Sequence, residues 1–110
     1  MFQILDFEIA SKGKVVIDDS LKNQYQGIKA LTMWTPEFAD MRNIDIELKI
    51  DDNEVFSAGF PAEIYSTNSF RNPEDCYLKV DFPKNSKIEG SITNGNDKPV
   101  NVSLIFHVNL

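Results

Sequence analysis

Val100-Asn101-Val102-Ser103-Leu104-Ile105-Phe106-His107-Val108-Asn109-Leu110 decides the fold of this chain. Its even positions are Val, Val, Leu, Phe, Val and Leu, and four of its five odd positions are Asn, Ser, His and Asn. A period of two over eleven residues is the signature of a β-strand with one buried face, because successive side chains point to opposite sides of the pleat. A helix with this pattern would spread its apolar residues around the whole cylinder and bury none of them efficiently.

Working outward, the same period recurs along the chain. Ile44, Ile46, Leu48 and Ile50 alternate with Asp45, Glu47, Lys49 and Asp51. Leu78, Val80 and Phe82 alternate with Tyr77, Lys79 and Asp81, and Leu5, Phe7 and Ile9 with Asp6 and Glu8. Ile88 and Ile92 continue the pattern around Gly90, and Val15-Val16-Ile17 is a further short run. Between these runs lies turn chemistry. Asp51-Asp52-Asn53 and Asn94-Gly95 both read as hairpin turns, since Asp, Asn and Gly tolerate left-handed backbone. Ser11-Lys12-Gly13 joins the first two strands, and Pro83 ends a strand that needs an N–H donor. Thr35-Pro36 reads as the N-cap and first position of one helical turn reaching Met41. Ser57 to Asp75 reads mostly as a long loop, with a short strand from Ala62 to Tyr65. Seven or eight short strands in one domain, residues 1–110, predict an all-β, antiparallel β-sandwich, with immunoglobulin-like and jelly-roll topologies both compatible. The lack of a Cys…Trp…Cys framework favours the jelly-roll-like arrangement.

Composition narrows the function. The 110 residues carry a net charge of −6, so the surface repels phosphates and nucleic-acid binding is disfavoured. The longest apolar runs are far shorter than a membrane span, and no basic segment followed by an apolar one marks a signal peptide. The single cysteine, Cys76, excludes an internal disulfide and fits a reducing compartment.

The chemistry-bearing residues point away from catalysis. His107 is the only histidine and has no second His or nearby Cys to complete a metal site or a catalytic pair. Cys76 follows Glu74-Asp75, acids that oppose formation of a thiolate. Asp18-Asp19 and Asp51-Asp52-Asn53-Glu54 lack the spacing and the glycine of a calcium loop, and read as solvated turns. No catalytic residue, no cofactor-binding residue, no metal ligand and no cofactor is therefore expected, and the chain reads as a non-enzyme. The strand from Tyr25 to Trp34 is different. Both of its phases carry apolar residues, and Ile105 is the one apolar outward position of the last strand. Trp34 itself reads first as closing the core at its strand's end. An apolar patch on the wrong face marks a contact surface, and the candidate interface residues are Trp34, Leu31, Met33, Tyr25, Tyr65, Phe70 and Ile105.

Several segments, in order, carry a resemblance. Leu21-Lys22-Asn23-Gln24-Tyr25-Gln26-Gly27-Ile28 enters a strand through a glycine. The hairpin Ile46 to Phe56 has an acidic turn and is followed by Ala58-Gly59-Phe60-Pro61. The chain closes with Ile88-Glu89-Gly90-Ser91-Ile92 and the long last strand. From Leu21 onward the chain resembles small jelly-roll-like β-sandwich virion proteins of tailed phages, including crAss-like phages of Bacteroidetes. The resemblance implies a capsid-associated structural protein of auxiliary, decoration, penton or head-fibre type, made in the host cytoplasm and located in the virion. Its implied partners are further copies of itself in a homo-oligomer, and the major capsid or other virion proteins, with no nucleic acid and no membrane. The alternative from the residues themselves is a carbohydrate-binding or adhesin module, since Trp34 and the tyrosines could stack on sugar rings.

Overall fold

The computed structural model describes residues 1–67 and 73–110. Among them lie eight strands: β1 (Phe2–Ile9), β2 (Lys14–Ser20), β3 (Gly27–Trp34), β4 (Ile44–Ile50), β5 (Asn53–Pro61), β6 (Leu78–Pro83), β7 (Lys87–Asn94) and β8 (Val100–Asn109). They form two antiparallel four-stranded sheets, ordered β1-β8-β3-β6 and β2-β7-β4-β5. That order is a jelly roll, because the chain alternates between the sheets and its first and last strands lie side by side.

The last strand sits where its alternation places it. Val100, Val102, Leu104, Phe106 and Val108 are all buried between the sheets. Opposite them, β4 contributes Ile44, Ile46, Leu48 and Ile50, and β7 contributes Ile88 and Ile92. Leu31 and Met33 of β3 pair with Phe106 and Leu104, and so lie on the same inner face. Full burial of side chains of this size contributes about 1.5–3 kcal/mol each, so this layer is the main source of stability in a chain without a disulfide. One end of the sandwich is filled by stacked rings, Phe56 on Phe60 at 4.6 Å between centroids and Tyr65 on Phe56 at 5.9 Å.

Gly90 explains how β7 lies so close to β4. A Cβ there would sit 2.0 Å from the carbonyl oxygen of Glu47. No side chain fits that approach, so glycine is required in the middle of an inner strand.

Four local expectations change. Asp51 and Asp52 do close a hairpin, between β4 and β5, with φ of 52° and 64°. Asn94-Gly95, however, does not, since β7 and β8 belong to different sheets and the turn carries the chain across the sandwich. The helical turn after Trp34 starts later, as a 3₁₀ turn over Phe38–Asn43, and Thr35 caps nothing there because its hydroxyl donates to Asn101 O at 2.8 Å. The expected loop from Ser57 is strand as far as Pro61, and the expected strand Ala62–Tyr65 is a 3₁₀ turn. Pro61 explains the second change, because it removes the N–H that would continue the ladder.

Buried amides tie the corners together. Asn94 Nδ2 donates to the carbonyls of Ile9, Ala10 and Lys98 at 2.9–3.2 Å, and its Oδ1 accepts from Asn96 N and Nδ2. At the opposite end of β1, Gln3 donates to Ser20 O and accepts from Lys22 N. Asp51 joins the β4–β5 turn to the start of β7 by accepting from Lys87 N and Ser86 Oγ.

Candidate docking face

The two sheets differ in their outer surfaces, although both carry charges. Outward positions of the β2-β7-β4-β5 sheet are Lys14, Asp18, Asp45, Lys49, Lys87 and Glu89, with Val16 the one large apolar exception. This is an ordinary solvated face, in which neighbouring charges of both signs meet water.

On the β1-β8-β3-β6 sheet the outer positions run in register across strands. Phe2 lies beside His107, which lies beside Ala30; Ile4 beside Ile105 beside Thr32; Asp6 beside Ser103 beside Trp34. Phe2, Ile4 and Trp34 are 46%, 53% and 43% exposed, while Ile105 and His107 are half-buried between them. The Phe2 ring stacks on His107 at 4.9 Å between centroids, and Tyr77 approaches the same imidazole at 6.3 Å. Desolvation first, then the nearby Lys29 and the amino terminus, push the His107 imidazole below its ordinary pKa. An imidazole held neutral in an aromatic sandwich behaves as part of an apolar surface.

The apolar outward residues of β3 have a different explanation. Ala30 and Thr32 are buried even though they point away from the core. Tyr65, Thr67 and Cys76 enclose Thr32. Its hydroxyl lies 2.8 Å from both Tyr65 O and Cys76 O, so its one proton is shared between them, and Thr67 Oγ1 lies 3.0 Å away. Ser66 forms a parallel bridge to Met33, and Thr67 N donates to Met33 O, extending the sheet beyond the start of β6.

The candidate interface residues therefore separate. Trp34 and Ile105 both lie on the outer face, diagonally placed across β3 and β8. Trp34 does not close the core, because its position in β3 shares the outward phase with Ser103. Leu31 and Met33 are fully buried between the sheets and Tyr25 is buried beside them, so none of the three is on the surface of this chain. Tyr65 belongs to the ring stack at the sandwich end. Phe70 lies outside the described residues. Phe2 and Ile4 were missed by sequence reasoning, although Phe2-Gln3-Ile4 carried a signal. Two large apolar residues flank a glutamine in phase, the mark of a strand whose outer side is apolar.

Beside Trp34 the face drops into a groove of about 490 Å³, lined by Trp34 and Pro36, by Asp6 and Glu8, and by Asn101 and Ser103. Ser103 Oγ donates to Asp6 Oδ1. The adjoining Lys98 is held by Glu37 at 3.1 Å and Asp40 at 3.2 Å, which raise its pKa. Among the described residues, no group of three or more His, Cys, Asp or Glu side chains is placed to hold a metal ion, and no helix is long and apolar enough to cross a membrane. Comparison with known proteins returns no matching family model and no matching curated protein.

Proposed function

We propose that this chain is a capsid-associated structural protein, an auxiliary or decoration component of a phage virion, that works by self-association and capsid contact through the outer face of its β1-β8-β3-β6 sheet. The observation that carries this reading is the difference between the two outer surfaces, one charged apart from Val16 and one on which Phe2, Ile4, Ile105, His107 and Trp34 lie between the charges of Asp6 and Glu8 on β1 and Lys79 and Asp81 on β6. Three strands about 4.8 Å apart and eight residues at about 3.3 Å each give a face of roughly 380 Å² in plan. Phe2, Ile4, Ile105 and His107 take one half of it, and Asp6, Glu8 and Ser103 take the other half beside Trp34. The fold supports the same reading, since jelly rolls are the common architecture of capsid proteins, though they also serve lectins and other proteins.

Light scattering on the purified chain and mass spectrometry of purified virions test it together. The expected results are a defined closed oligomer, its dissociation by Ile4→Asp without loss of the folded monomer, and the chain among the virion proteins. A stable monomer at high concentration, or virions that lack the chain, overturns the reading. The exposed Trp34 ring favours a second reading, a carbohydrate-binding or adhesin module. A glycan array answered by a change in Trp34 fluorescence would establish it in place of the first.

A further inference from the structure

The geometry points to the groove between Trp34 and Asp6–Glu8 as a subsite for an arginine or lysine side chain of the protein against which the outer face docks. This rests on the docking reading above and names the chemistry of the partner.

The groove is unusual in its balance of hydrogen-bonding groups. Asp6 and Glu8, both exposed, lie two residues apart on β1 and point to the same side of the sheet. Ser103, the hydroxyl on the floor, has its proton committed to Asp6. Of the side chains lining the groove, only the Asn101 amide and the edge of the Trp34 indole can donate. The site is thus rich in acceptors and poor in donors, with the Trp34 indole among its lining side chains. A sugar hydroxyl both donates and accepts, so a donor-poor groove satisfies it badly. A guanidinium or ammonium donates only, pairs with carboxylates, and is attracted to the face of an indole.

Charge argues the same way. No basic side chain lines the groove, and Lys98 next to it is already held between Glu37 and Asp40. On a chain of net charge −6, this end of the face is an uncompensated acidic notch beside an apolar surface. A partner that buries Ile4 and Ile105 must also meet Asp6 and Glu8, and a basic residue next to its own apolar patch avoids leaving them desolvated and unpaired.

Trp34 is the only tryptophan, so its fluorescence reports directly on the groove. A blocked six-residue peptide of alternating arginine and glycine should change that emission in a saturable, salt-sensitive way, while its all-glycine counterpart should not. The double substitution Asp6→Asn with Glu8→Gln preserves size and fold, and should weaken the arginine peptide on the order of tenfold. No response to the arginine peptide, an affinity unchanged in the double variant, or a response to chitobiose or cellobiose in its place would overturn the assignment. Light scattering on the unsubstituted chain keeps the two proposals apart. An oligomer there, with no response to the arginine peptide, removes the subsite and leaves the docking face standing.

Discussion

Asn94→Ala should be among the most damaging single changes in this protein, although it removes no apolar surface. The Asn94 amide is buried where the end of β1, the β7–β8 crossing and the 3₁₀ turn converge. Its two N–H groups serve three backbone carbonyls, those of Ile9, Ala10 and Lys98, and its oxygen holds both the backbone and the side-chain N–H of Asn96. Alanine removes this partner from the Asn96 N–H and from the Ile9 and Lys98 carbonyls, while Ala10 O keeps its bond from Gly13 N. At about 1–3 kcal/mol for each buried group left unsatisfied, and allowing for one or two rescued by water, the loss is about 3–5 kcal/mol. That is a large fraction of the ~5–15 kcal/mol that holds a domain of this size together. Asn94→Asp is the sharper control. It keeps the acceptor for Asn96 but sets a carboxylate against three carbonyl oxygens, so it should cost at least as much near neutral pH and recover in part on acidification. Urea unfolding followed by Trp34 fluorescence measures both variants. A loss under about 1 kcal/mol for Asn94→Ala, at an unchanged m value, would refute the view that this amide pins the corner.

Gly90→Ala should destabilise by on the order of 3 kcal/mol, because the added carbon has only the β4 backbone to displace, and the same urea titration reads it. Asp52→Gly should stabilise by about 0.4–1 kcal/mol, since φ of 64° is strained for Asp and free for Gly at the second central position of the hairpin turn; a raised Tm by calorimetry checks it. For His107, the folded chain holds the imidazole below its ordinary pKa of 6.5. Between the lowered value and 6.5 the unfolded chain binds the extra proton, so stability falls as pH drops through that window and levels off below it. His107→Gln should flatten this part of the profile, which is read as the difference between the two proteins' urea midpoints from about pH 7.5 to about pH 5. An identical pH dependence in both would show that the imidazole is not shielded.

How much of this was legible beforehand depended on whether a signal was local. The alternation of β8 gave its inner and outer faces residue by residue, because the pleat fixes the phase once one side is buried. The Asn94-Gly95 turn shows the limit. Turn chemistry specifies a reversal of the chain, yet it does not specify whether the next strand pairs with the last one or crosses to the other sheet. In a jelly roll the crossing is the rule, and here β4–β5 is the one consecutive pair of strands that shares a ladder. Topology was therefore open in the sequence even where every strand could be seen.

The candidate face was half legible for a related reason. β3 is apolar on both phases, and a sequence offers one explanation for that, an exposed contact surface. The structure supplies two. Leu31 and Met33 are core, Ala30 is buried between His107 of β8 and Lys79 of β6, Thr32 is enclosed by Tyr65, Thr67 and Cys76, and Trp34 is the apolar residue left outside. An apolar outward residue on an inner strand is therefore weak grounds for a partner, because the protein can cover it itself. The same residue type on an edge strand is stronger grounds. Among the described residues β1 has β8 on one side and no strand on the other, and Phe2 and Ile4 stay about half exposed beside Ile105. The weight of the docking reading thus rests on β1, where the sequence drew little notice, rather than on β3, where it drew the most.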